Sequence, residues 1–316
     1  MWLKRYTVLL AFATFILIIA GGLVTSNDYG LAVPDWPKSY GMWMPPMIGG
    51  VFYEHGHRMV AASVGFLTII LAVWLTLKEP RKWVRVLGVI ALLTVITQGV
   101  LGGITVLYLL PTAISVMHAT LAQTFFSLIV SLALFTSREW KEPALGPSSV
   151  SVPRVVQFVA VGSAIYLQLI LGSWMRHSKA ALAIPDFPLA LGRMIPPFDT
   201  PEVAIHFAHR VGALIVFVLI TMNLMMTWRR HRDETKLIRP AVLLFILAIA
   251  QMTFGAFTVW TKTAVWAATS HVAVGALLLA TSVLLTLRGF RMLGCRIKSV
   301  RGDIPAIPAT SRSTTR

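Results

Sequence analysis

A chain of 316 residues that is 56% hydrophobic and only 13% charged, with a mean hydropathy of +0.75 and a net charge of +16, is not an ordinary soluble domain. Such a composition belongs to polytopic membrane proteins, in which Lys and Arg gather in short loops as topology signals. Nucleic acid is therefore excluded as a partner, and the lipid bilayer takes its place. The single cysteine, Cys295, lies in a basic tail and offers neither a disulfide framework nor a cysteine metal site, so any metal chemistry must rest on His and carboxylates.

Apolar runs of spanning length, about 20 residues each, fall at 6–25, 55–77, 85–107, 112–136, 153–175, 204–228, 240–260 and 266–288. The first is too long for a signal-peptide core and lacks a clear small-residue cleavage site before Asn27, so it reads as a retained helix. The pattern predicts an all-α polytopic membrane protein with eight transmembrane helices, built as two tandem-repeat four-helix bundles. The expected divisions are an N-terminal bundle at 1–140, a cytoplasmic linker at 141–153, a C-terminal bundle at 154–290 and a basic, disordered tail at 291–316. The termini and the even-numbered connections carry 21 of the 28 Lys and Arg residues. By the positive-inside rule both termini are then cytoplasmic, in the cell membrane.

The odd-numbered connections are external, and two are long, 26–53 and 177–203. Each carries a matching element, Leu31-Ala32-Val33-Pro34-Asp35-Trp36-Pro37 in the first and Leu182-Ala183-Ile184-Pro185-Asp186-Phe187-Pro188 in the second. A Met/Pro-rich stretch that cannot form regular helix follows each, so both loops read as caps over the bundle mouths. The repeat continues downstream. His57-Arg58 matches His209-Arg210, and His118 matches His271, at offsets of 151 to 153. One difference stands out: where the first copy has Glu54, the second has His206. Glycines inside the spans (Gly21, Gly22, Gly99, Gly102, Gly103, Gly172, Gly255) read as close helix contacts, with room for a flat ligand as the other use.

At 1.5 Å per residue the four repeated histidines fall in one external layer, within about a turn of each other. Two histidines on different helices at one depth can clamp a planar metal macrocycle from both faces, the bis-His arrangement of a b-type heme; interhelical hydrogen bonding is the plainer use. Arg58 and Arg210 follow the ligand candidates directly and suit either snorkelling to the interface or pairing with heme propionates. Glu54 lies one turn from His57 and shares its face, where a bound macrocycle would partly desolvate it into a group fit for proton transfer. His55, His177 and His231 read as interfacial or solvated.

Eight helices in two repeats, Glu-x-x-His-Arg opening the second span, a second His-Arg opening the sixth, lone histidines near the outer ends of the fourth and eighth, and an external Asp-Trp-Pro together resemble the heme A synthase family over residues 6–290. The resemblance implies an enzyme that oxidises the C8 methyl of heme O to the formyl of heme A for the terminal cytochrome oxidase. It implies that His57 and His118, with Arg58, hold the substrate heme and that Glu54 is the catalytic carboxylate. By the same likeness His209 and His271, with Arg210, hold a permanent heme b through its axial iron positions. Heme O synthase, cytochrome oxidase assembly proteins and a second copy of the chain are the partners it leaves open. Many family members carry cysteine pairs in the external loops, and this chain has none there. A diheme cytochrome exchanging electrons with quinone, and a heme carrier or insertion factor, are the competing readings.

Overall fold

The computed structural model describes residues 2–142 and 153–293. Residues 143–152 of the expected linker and the basic tail from 294 on, with Cys295, lie outside the described residues. The described chain is α-helical: α1 (Trp2–Ser26), α2 (Gly50–Lys78), α3 (Lys82–Leu107), α4 (Thr112–Phe135), a single turn α5 (Arg138–Lys141), α6 (Pro153–His177), α7 (Pro201–His231), α8 (Thr235–Trp260) and α9 (Val265–Leu293). Eight of these are long and apolar enough to cross a membrane, and the chain is a multi-pass membrane protein. Helices α2, α7 and α8 start three to five residues before their apolar runs. The backbone still needs internal hydrogen bonds where side chains turn polar. At α7 Thr200 supplies the start signal, accepting from Val203 N with Pro201 in the first turn.

Helix α1 packs on α2 and α4, and α3 on both α2 and α4, which closes a ring of four around Leu10, Leu71, Leu75 and Ile129. Helices α6 to α9 close a second ring in the same order around Phe158, Ile220, Leu244 and Leu285. The rings meet where α9 lies against α1 and α4, and α4 against α6, through Ile18, Phe126, Ala276 and Ala280. Alanines there let backbones approach closely, which substitutes for the hydrophobic drive that lipid removes. Phe66, Leu93, Leu214 and Ile246 point outward and are exposed, as a lipid-facing surface requires. Two buried hydroxyls inside the spans bond back to their own helix, Thr14 to Leu10 O and Thr68 to Val64 O, both at 2.7 Å, so neither carries an unmet donor into the membrane.

The repeat is visible in the backbone. Helices α1 and α6 close in the same way: Tyr29 N reaches Val24 O past Asp28 at φ 56°, and Ala180 N reaches Met175 O past Lys179 at φ 60°. Helices α3 and α8 end on left-handed pairs, Leu109 with Leu110 and Lys262 with Thr263. In the two long loops Asp35 accepts from the amides of Tyr40 (2.6 Å) and Gly41 (2.8 Å), and Asp186 from those of Leu191 (2.7 Å) and Gly192 (2.8 Å). These backbone bonds, above all that of the glycine amide, hold both carboxyls below the usual aspartate range.

Candidate functional site

Each of the four repeated histidines is seated on a glycine of the preceding helix. A methyl added to Gly21 of α1 would stand 3.1 Å from His57 Cε1 on α2, and one on Gly102 of α3 would stand 3.1 Å from His118 Cε1 on α4. In the second ring the matching distances are 2.7 Å from Gly172 to His209 and 3.2 Å from Gly255 to His271. These contacts are tighter than an ordinary side chain tolerates, so the glycines make the space in which the imidazoles lie. The bland packing reading of these glycines thus acquires a purpose: what they pack against is the histidines.

His209 and His271 face each other with ring centroids 6.4 Å apart and planes at 69°. Two imidazoles bonded to one iron at about 2 Å, each centroid about 1 Å behind its nitrogen, would hold their centroids about 6 Å apart. The pair therefore fits a bis-His iron macrocycle. His57 and His118 are the matching pair of the first ring, and both keep a buried Nδ1 with no partner. Among the described residues no three His, Cys, Asp or Glu side chains converge as a bare metal site. Pairs of histidines suit instead a metal that brings its own equatorial donors.

Glu54 does share a face with His57, but its carboxylate is committed to the loop above. It is 4% exposed; Oε2 accepts from Val33 N at 2.8 Å and Oε1 from Arg58 Nη2 at 2.5 Å. In the second copy His206 Nδ1 takes the equivalent loop amide, Ile184 N, at 3.3 Å. The residues that distinguish the copies thus perform one common task, and Glu54 adds a charge to it. The arginines are likewise tied to the loops: Arg58 donates to Val33 O, Asp35 O and Lys38 O, and Arg210 to Ile184 O, Asp186 O and Leu189 O. Neither snorkels freely; each stitches a cap to the helix that carries a histidine.

His55, expected to be interfacial or solvated, is 6% exposed, with Nδ1 2.8 Å from Ser39 Oγ. The loop folds down over the start of α2 and covers it. In the second copy the same two positions hold Ala190 and Phe207, packed with Ile184 and Val203. The first mouth is therefore the polar one. His177 ends α6, half-buried, its carbonyl accepting from Thr112 Oγ1 at 3.3 Å, and His231 ends α7. Beside His177, Arg176 crosses between the rings to Ser26 Oγ at 2.8 Å, which Thr269 also reaches at 3.0 Å.

Sequence reasoning missed three glutamines. Gln98 Nε2 donates to His118 O at 2.9 Å and approaches the ring Nε2 at 3.4 Å; Gln168 Nε2 donates to His209 O at 2.7 Å and lies 3.0 Å from its Nδ1. Gln251 Nε2 lies 3.2 Å from His271 Nε2, while the Gln251 carbonyl faces His271 Nδ1 at 3.1 Å. A carbonyl only accepts, so His271 carries its proton on Nδ1 and leaves the Nε2 lone pair for a metal. The signal was available, because Gln98, Gln168 and Gln251 each stand four residues before a seating glycine.

Residues 49–283 match the family described as Cytochrome oxidase assembly protein. The chain is 30% identical over 288 residues to a heme A synthase of Halalkalibacterium halodurans, covering 88% of this chain and 94% of that protein. It is 28% identical to a heme A synthase of Alkalihalophilus pseudofirmus (90% and 96% covered), and 31% identical to one of Symbiobacterium thermophilum (76% and 79%).

Proposed function

This chain belongs to the family of cytochrome oxidase assembly proteins, and we propose that it is a heme A synthase, an oxidoreductase that converts the C8 methyl of heme O into the formyl of heme A. The observation that carries the proposal is the pair of glycine-seated histidine sites, of which only the first lies beneath an acid. His57 and His118 hold the substrate heme. His209 and His271, whose 6.4 Å separation suits one iron between them, hold a permanent heme b. When bound, heme b supplies an exit for electrons.

Methyl to formyl is a four-electron oxidation in two two-electron steps through a hydroxymethyl stage; with water as the source of the oxygen atom it balances as R–CH3 + H2O → R–CHO + 4 H+ + 4 e−, so each step releases two protons and two electrons. Glu54 accepts the protons, or stabilises positive charge as it develops at the reacting carbon, while its link to Val33 N keeps it under the cap and out of bulk water. Arg58 holds Glu54 and the cap in one arrangement. The cap itself, closed by Asp35 and by the buried Ser39–His55 pair, covers the first mouth.

The divisions at 1–140 and 154–290 are the substrate and heme b halves of this enzyme. The chain resides in the cell membrane with both termini cytoplasmic and both caps external; a reporter fused after Arg291 that is active only outside would reverse that orientation. Heme O synthase and cytochrome oxidase assembly proteins are its natural partners, as source and destination of the heme. Pigment extraction tests the function: the purified chain should carry heme B together with heme O and heme A, whereas heme B alone would favour an electron-transfer cytochrome.

A further inference from the structure

Three of the four histidine seats share a second feature that the fourth lacks. Gln98, Gln168 and Gln251 stand one helical turn before Gly102, Gly172 and Gly255: Gln98 bonds the His118 carbonyl, Gln168 bonds the His209 carbonyl and lies against its Nδ1, and the backbone carbonyl of Gln251 faces His271 Nδ1. One turn before Gly21 the chain has Leu17, half-buried against the apolar core of the first ring. His57 Nδ1 and His118 Nδ1 are both buried without a partner, but His118 is held through its carbonyl by Gln98, whereas no glutamine stands beside His57. Because α1 and α6 are equivalent copies, the place that Gln168 fills beside His209 is filled beside His57 by a side chain that can neither donate nor accept.

We infer that this missing glutamine makes His57 the releasable axial ligand, so that heme enters and leaves the first site by making and breaking the His57 bond while the three glutamine-braced histidines stay in place. The reasoning rests on the assignment of His57 and His118 to the substrate. A histidine ligand hydrogen-bonded through its second nitrogen is held in one ring orientation, and loss of such a partner costs about 10- to 100-fold in metal affinity; a bond to the histidine carbonyl holds only its backbone in place. A glutamine carboxamide can do this in either sense, offering N–H or, rotated, C=O. A product-releasing site needs one weak bond, whereas a permanent cofactor needs none. The structure divides in that way, with two histidines held at Nδ1 in the second ring, and in the first one held through its backbone and one held by no glutamine.

The test uses the full chain in detergent, saturated with hemin and then mixed with excess apomyoglobin, following heme transfer by absorbance. The wild type should lose heme in two phases, with His57→Ala abolishing the fast phase and His209→Ala the slow one. Leu17→Gln should slow the fast phase about 10- to 100-fold, and Gln168→Leu should speed the slow phase by a similar factor, with low-spin spectra reporting intact ligation before transfer. An unchanged fast phase in a Leu17→Gln protein that folds and binds heme would overturn the inference. So would an unchanged slow phase in Gln168→Leu, which keeps the idea testable if Leu17→Gln does not fold. A fast phase that survives His57→Ala and vanishes in His209→Ala would show instead that the two sites had been assigned the wrong way round.

Discussion

Replacing Glu54 separates the loop-holding task that the structure shows for it from the catalytic one proposed for it. The first is structural. Glu54→Ala leaves the buried Val33 N–H without an acceptor, a loss of about 1–3 kcal/mol. Arg58 meanwhile keeps Val33, Asp35 and Lys38 carbonyls and is not left bare. At about 1.4 kcal/mol per tenfold, the cap should open roughly 5- to 150-fold more often. The second task is chemical, and loss of a positioned acid or base costs about 100- to 10,000-fold in turnover. Glu54→Gln retains a carbonyl oxygen for Val33 N but removes the charge and the basicity. The expected pattern is therefore that Ala loses both cap protection and heme A formation, while Gln keeps most of the protection and still loses the product. Hydrogen exchange of the amides at 33 to 41 reports the cap, and the heme O to heme A ratio, in membranes matched for protein and heme b, reports the chemistry. If Gln restores both, Glu54 is a loop brace like His206 and the catalytic role is refuted.

Three other outcomes follow from the same geometry. His209→Ala or His271→Ala should remove the low-spin b-type spectrum, because on the proposed assignment each supplies one of two bonds to the iron; a full spectrum in the double variant would move the cofactor elsewhere. Gly172→Ala places a methyl 2.7 Å from His209 Cε1, an overpacking typically worth about 1–3 kcal/mol, so heme b content should fall while the chain still inserts; normal content would show that the seat is loose. Glu79, 1% exposed at the end of α2, is raised by burial, but Arg81, through its guanidinium and its amide, and Lys141 outweigh burial and hold its carboxyl below 4.5. Its stabilising contribution is therefore present above pH 4.5 and lost as pH falls through the lower folded value. Glu79→Gln should flatten this acid limb in a thermal-melt series, and an unchanged limb would show that another group controls it.

The spans and the four histidines are legible in the sequence because lipid imposes a simple rule on the first and the second occur at one depth in each copy. The caps are not. Burial of Glu54 and His55 depends on residues 33 to 39 folding back over α2, a contact between segments about 20 residues apart that no helical periodicity records. The arginine next to each histidine reads equally well as a snorkelling cation until Asp35 O and Ile184 O are seen to receive it. The seam contact of Arg176 with Ser26 spans 150 residues and joins positions that are not repeat equivalents, so duplication does not reveal it. Of the missed features only the glutamine before each seating glycine was readable beforehand, as a spacing repeated three times and broken once at Leu17.

The central claim is that two unequal heme sites, with one acid above the first, make this chain a methyl-oxidising enzyme. The most direct measurement is made in cells that produce heme O and cannot produce heme A by any other route: this chain is expressed and the extracted hemes are separated. Heme A should appear with the unaltered chain and disappear with Glu54→Gln, while the low-spin heme b spectrum remains in both. Membranes that contain heme O and the unaltered, heme b-loaded chain but no heme A would contradict the account.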